Sequence, residues 1–144
     1  MKSIKKIALF ILILVMLIPS IIMVHGLSDI EKSVYKAEIE KLAEEGVIDG
    51  YPDGTFKPEA NIKRGEFAKI LAVALKLELN SDIAAKYDDV RGRWHEGYIG
   101  AIVNKGLMIG RSNDIFDPES SIAKEELAIV LVRAFDLEEI LDGI

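Results

Sequence analysis

The chain has 144 residues, no cysteine, and 24 acidic against 18 basic residues, for a formal net charge of −6. This length suits one small domain. The missing cysteines exclude a disulfide framework and a cysteine nucleophile, and the acidic balance excludes nucleic-acid binding by general attraction.

Residues 1–26 hold Lys2, Lys5 and Lys6 and no acid, and an apolar run from Ile7 to Val24 is broken only by Pro19 and Ser20. A basic start followed by an apolar stretch describes a secretory signal peptide, with cleavage expected near Gly26. The same run, residues 7–24, is near the minimum for crossing a bilayer, so an uncleaved membrane anchor is the alternative. The positive mean hydropathy of +0.23 mostly reflects this leader. Without it, 15 basic residues (18 minus 3) face 24 acids, a net charge of −9. An anionic ligand would then need a local basic cluster working against the global field.

After the leader, Tyr35, Ile39 and Leu42 fall at i, i+4 and i+7, one face of a helix that Gly46 stops. A loop of about 16 residues follows, long for a helix–helix connection. Phe67, Ile70, Leu71, Ala74 and Leu75 then mark a second helix. Residues 79–88 read as a linker. Trp94, Tyr98, Ile99, Ile102 and Val103 mark a third helix, and Leu127, Val130, Leu131, Ala134 and Phe135 a fourth.

The second half repeats the first with a period of 60 residues and no gap. Gly46 matches Gly106, Gly50 matches Gly110, Phe56 matches Phe116, Pro58 matches Pro118, Arg64 matches Lys124 and Glu66 matches Glu126. Each copy alone buries too little apolar area to be comfortably stable. The two are therefore expected to pack through their second-helix stripes, with Phe56 and Phe116 pinning the long loops to the core.

The segment Gly-Val-Ile-Asp-Gly-Tyr-Pro-Asp-Gly-Thr-Phe-Lys-Pro from Gly46, followed by Ile-Lys-Arg-Gly-Glu-Phe ending at Phe67, resembles the S-layer homology (SLH) module. That family's pattern is a glycine-bounded loop followed by Ile-Thr-Arg-Ala-Glu-Phe. Asp89-Val90-Arg91-Gly92-Arg93-Trp94 resembles the family's opening segment. The resemblance implies an all-α fold of two tandem helix–long loop–helix modules, at residues 27–80 and 87–141, packed as part of a pseudo-threefold helical bundle. It implies a secreted, non-enzymatic protein of the cell wall, S-layer or cell surface. Its partner would be a pyruvylated secondary cell-wall polysaccharide associated with peptidoglycan. Such modules usually come in threes, so self-association, or a third module supplied in trans, is also expected. The alternative is a membrane-tethered or self-associating assembly protein that binds no carbohydrate.

The resemblance also nominates ligand-binding residues. Arg64 matches the family's sugar-contacting arginine, Lys124 stands at its counterpart, and Lys63 adds to the basic spot at the helix start. A helix N-terminus with an arginine suits a carboxylate. The bland reading of Arg64 is an exposed surface ion pair. Lys63 and Ala123 replace the family's capping threonine, leaving Glu66 and Glu126 and, from a shifted start, Asn61 and Ser121 as caps. Trp94 reads either as core packing or as a sugar-stacking wall. Asp29 and Asp89 read as N-caps or as ligand contacts. Gly50 and Gly110 bound the ligand-facing loops.

Other chemistry finds little support. Read as a calcium loop from Asp49, the segment puts Tyr51 at position 3 and Ala60 at position 12, so the oxygen ligands are missing. His95 stands alone, without a histidine cluster for a metal. No metal or other cofactor is expected.

Overall fold

The computed structural model describes residues 26–137. The expected leader lies outside them except for Gly26, as do residues 138–144 at the end of the second copy. The fold is all-α, with five helices among the described residues: α1 (Lys36–Glu44), α2 (Arg64–Ala74), α3 (Ser81–Ala84), α4 (Glu96–Asn104) and α5 (Lys124–Ala134). Among the described residues the only β pairing is one antiparallel bridge between Lys63 and Ser121.

The 60-residue period is structural. Gly46 and Gly106 both adopt φ +70° just past α1 and α4. Val47 N–H donates to Leu42 O at 2.9 Å and Leu107 N–H to Ile102 O at 2.9 Å, closing each helix with the same left-handed stop. The long loops are held by the two aspartates. Asp29 accepts from the amides of Phe56 and Lys57, both at 2.7 Å. Asp89 accepts from Phe116 at 3.0 Å and Asp117 at 2.6 Å. Lys57 and Asp117, the residues so gripped, are both left-handed, at φ 60° and 64°.

Two apolar clusters form. Leu27, Ile30, Ile39, Val47 and Ile48 make the core of the first copy, and Ile70 and Val73 of α2 pack on it. The opposite face of α2, through Ala68, Leu71 and Ala72, is buried in the larger cluster of the second copy with Ile99, Ile102 and Phe116. So α2 closes its own copy with one face and joins the next with the other.

Several expectations are corrected. The second-helix stripes share one apolar cluster, which holds Leu71 of α2 and Val130 of α5, but the main helix contact of α2 is with α4. Tyr35 and Leu42 are exposed, so only Ile39 of the proposed α1 face is buried. The linker contains α3, started by the Asn80 side chain accepting from Ile83 N–H at 3.1 Å. The N-cap positions of α2 and α5 are Lys63 and Ala123, with no shift to Asn61 or Ser121. Asp29 and Asp89 cap no helix, since α1 and α4 begin after Tyr35 and His95.

Candidate functional site

A cavity of about 670 Å³ opens between the two copies. One wall is the first loop and the start of α2; the other is Trp94, Pro118 and Glu119 of the second copy. The fold positions these parts directly. Asp29 fixes the loop at Phe56 and Lys57. The backbone of α2 is then tied to the second loop, with Arg64 N–H donating to Ser120 O at 2.8 Å and Gly65 N–H to Pro118 O at 2.9 Å. Gly65 allows this approach, because a Cβ there would lie 3.1 Å from both His95 and Pro118.

Three lysines line the groove, each beside a carboxylate. Lys63 pairs with Glu119 at 2.7 Å across the two copies. Lys69 pairs with Asp49. Lys57 approaches Asp53 at 3.6 Å and lies 4.0 Å above the Tyr51 ring. The hydrogen bond from Lys63 holds the Glu119 carboxyl below its usual range, and that same bond raises the Lys63 ammonium. Tyr51 donates its hydroxyl to Glu66 at 2.9 Å, which raises the phenol's pKa. Lys57, Lys63 and Lys69 balance Asp49, Glu66 and Glu119 in the lining. The groove is thus locally neutral on a strongly acidic protein.

Trp94 is 57% exposed, which overturns its reading as a core residue. It lies in the turn before α4, with its ring 4.9 Å from that of His95 and set edge-on to it. An exposed indole on a groove wall offers an apolar face and an N–H donor together, the combination that suits a sugar ring. The lysines can exchange an internal carboxylate for one on a ligand, so an anionic group can be accepted without leaving a cation unpaired.

Arg64 does not occupy the position expected for a surface residue. Its side chain is fully buried. The guanidinium donates to Phe116 O at 3.1 Å and Ile109 O at 2.9 Å, pairs with Glu126, and lies 4.6 Å from the centre of the Phe116 ring. Burial, and after it the neighbouring Arg111, lower its pKa to about 10, so it stays charged at neutral pH. All of these partners belong to the second copy. Arg64 is therefore a tie between the copies and is absent from the groove lining.

The remaining nominated residues divide similarly. Both oxygens of Asp29 and of Asp89 are spent on loop amides. Gly50 lines the groove, and both glycines admit a close neighbour: a Cβ would come within 2.4 Å of Leu27 at Gly50 and of Tyr87 at Gly110. Lys63 is in the groove. Lys124 stands exposed at the start of α5, outside it. The groove does not recur in the second copy among the described residues. The counterparts of Lys57, Lys63 and Lys69 are Asp117, Ala123 and Ile129, and Val34 stands where the second copy has Trp94. Half of a capping box survives, Lys63 N–H donating to Glu66 at 2.9 Å; a lysine has no acceptor for the other half. Sequence reasoning missed Tyr51, Lys69 and Glu119.

The profile of the S-layer homology domain matches residues 26–68 and 86–128. A cellulosome-anchoring protein of Acetivibrio thermocellus is 34% identical over 102 residues, covering 68% of this chain and 23% of that protein. An S-layer protein of Bacillus licheniformis is 34% identical over 105 residues, covering 73% of this chain and 12% of that protein. An uncharacterized cell wall amidase of Bacillus anthracis is 34% identical over 96 residues, covering 67% of this chain and 18% of that protein. The chain thus spans less than a quarter of the length of each of these relatives. The two profile matches fall on the two copies of the repeat and together take in more than half of the chain, which belongs to the S-layer homology domain family.

Proposed function

We propose that the protein attaches non-covalently to the bacterial cell wall and holds wall carbohydrate in the groove between its two copies. The observation that carries this reading is Trp94, an exposed indole on one wall of a groove whose other wall carries three lysines. The ligand is a secondary polymer with pyruvylated amino sugars, as the family resemblance implies. The sugar ring lies against Trp94 and the pyruvyl carboxylate displaces Glu119 from Lys63. The names of two relatives, an anchoring protein and an S-layer protein, support attachment at the cell surface. No helix among the described residues is long and apolar enough to cross a membrane. The role is binding rather than catalysis; the amidase name belongs to a protein of which this chain matches 18%.

Trp94 is the sole tryptophan, so its fluorescence reports on the groove alone. Titration with purified secondary polymer should shift the emission saturably, and polymer stripped of pyruvate should bind at least tenfold more weakly. Lys63→Ala should weaken binding by roughly 5- to 10-fold, the effect of one partly exposed charge. Unchanged emission, together with equal sedimentation with walls that keep or lack the polymer, would rule the groove out. That result would leave the alternative of surface assembly without carbohydrate.

A further inference from the structure

The interface between the two copies serves as a template for the surfaces the molecule leaves open. On α2, Ala68, Leu71 and Ala72 are buried in the second copy, and Leu75 packs against the same cluster. Sixty residues on, α5 presents Ala128, Leu131, Val132 and Phe135 in the same stripe. Leu71 is 8% exposed but Leu131 is 40%, and Phe135 is 64%. Only Val130 of α5 is buried, on the side that closes its own copy.

The other half of the template is open as well. In the second copy, His95, Ile102 and Pro118 are buried. Their counterparts in the first copy are Tyr35, Leu42 and Pro58, all exposed. The first amides of α2 are satisfied by Ser120 O and Pro118 O. The matching acceptors for α5 are the carbonyls of Ala60 and Pro58, which lie on that same exposed surface of the first copy. Among the described residues the molecule thus exposes the two complementary halves of an interface it already makes internally.

We propose that these halves dock between molecules: the α5 face of one copy of this chain seats on the α1 and Pro58 face of a second copy, head to tail. The contact is heterologous, so its two sides differ and each molecule can both give and receive. Lys124 takes the place of Arg64, facing the carbonyls of Asp49 and Phe56 and the carboxylate of Glu66. A second change favours docking over ligand binding at this end. The Asp49–Lys69 pair of the first copy is replaced in the second by Ile109, 67% exposed, and Ile129, also exposed. Two further departures weaken the contact: Glu125 stands where Gly65 allows close approach, and Ala123 where Lys63 pairs with Glu119. A carboxylate at position 125 loosens the contact, so the association is weaker than the internal one and visible only at micromolar or higher concentration. The inference does not rest on the carbohydrate reading, although its receiving face shares Pro58 and Ala60 with the groove.

Sedimentation equilibrium of the 144-residue chain, after any cleavage of its leader, tests it without added ligand. The average mass should rise above the monomer with concentration. Leu42→Asp and Phe135→Asp, on opposite faces, should each give monomers alone. Mixed in equal amounts they should form a one-to-one dimer, because each keeps the face the other has lost. Glu125→Gly should tighten self-association by at least tenfold. Circular dichroism confirms folding, and Tyr35→Asp with Leu131→Asp provides a second pair if either first variant unfolds. A parent that stays monomeric at every concentration overturns the proposal and leaves the α5 face to another segment of the same chain. A mixture that fails to pair, from variants that fold, overturns it equally, since only a two-sided contact is complemented this way.

Discussion

Replacing Arg64 by alanine should cost about 3 to 4 kcal/mol of stability, rather than the negligible amount expected of a surface helix-start residue. The figure follows from the partners. Phe116 O and Ile109 O each lose a charged donor, and a buried carbonyl left alone costs about 1–3 kcal/mol. The guanidinium also leaves the Phe116 ring, which removes roughly 0.5–1 kcal/mol. Breaking a buried pair typically costs about 3–5 kcal/mol. Here Glu126 keeps Arg111 at 3.2 Å and is 18% exposed, so its charge is not stranded and the upper end is not reached. For a domain of this size the midpoint of thermal unfolding should fall by on the order of 15 °C. Urea unfolding followed by circular dichroism at pH 7 measures the loss directly. Arg64→Lys should lie between the parent and alanine, since one ammonium cannot reach both carbonyls. A loss below about 1 kcal/mol accompanied by loss of polymer binding would refute the reasoning and return Arg64 to the ligand.

Two further outcomes test the framework around the groove. Asp89→Asn should destabilise the protein by about 2 kcal/mol, because an amide offers one acceptor where the carboxylate serves two loop N–H groups; hydrogen exchange at Phe116 and Asp117 should accelerate first. His95 is fully buried, neither ring nitrogen has a hydrogen-bond partner, and burial lowers its pKa from 6.5. The unfolded chain then binds the extra proton first, so stability is complete above about pH 6.5 and falls as pH drops from there through the lowered folded value. Glu119 and Asp29, whose pKa values lie below 4.5 and 3.8, lose their contributions only at lower pH. Unfolding measured at pH 5 and pH 7.5 should show this loss in the parent and a smaller one in His95→Asn; equal slopes would exclude His95 as the cause.

Much of the fold was legible because local chemistry fixes it. Gly46 and Gly106 end helices whatever lies beyond them, and the apolar spacing of α2 and α5 marks both helices. What the sequence hid depends on distant residues. Arg64 is buried by carbonyls 45 and 52 residues away, and nothing next to it in the chain announces them. Trp94 fits the apolar period of α4, yet the helix starts two residues later, and the turn carries the indole outward. Tyr35 and Leu42 carry a proper helical pattern, but the surface that would cover them is not supplied by their own copy. The groove lysines come from two segments with no shared period. Lys63 stood out through the basic spot at the helix start; the signal for Lys69 was a difference, since Lys69 and Asp49 turn into Ile129 and Ile109 on crossing the repeat.

That difference separates the residues that make the fold from those that fill the groove. Positions that repeat chemically, such as Asp29 with Asp89, Phe56 with Phe116 and Gly46 with Gly106, hold loops and end helices, and each copy needs them for the same reason. Positions that change character, Trp94 against Val34, Lys57 against Asp117 and Lys63 against Ala123, lie where the two copies meet a different neighbour. A motif recognised by its most regular residues therefore draws attention to the scaffold. Arg64 belongs to that regular set and is buried as a tie, while Lys63, beside it and outside the pattern, reaches the groove and pairs with Glu119 across the copies. The same logic makes one groove, not two, the expected carbohydrate site: the second copy has the scaffold of the first, but apolar or acidic residues in place of its lysines. Those isoleucines on an exposed wall are suited to protein and poorly suited to an anionic sugar. The proposed self-association gives the α5 face a role of its own, while its receiving face on the first copy shares Pro58 and Ala60 with the groove.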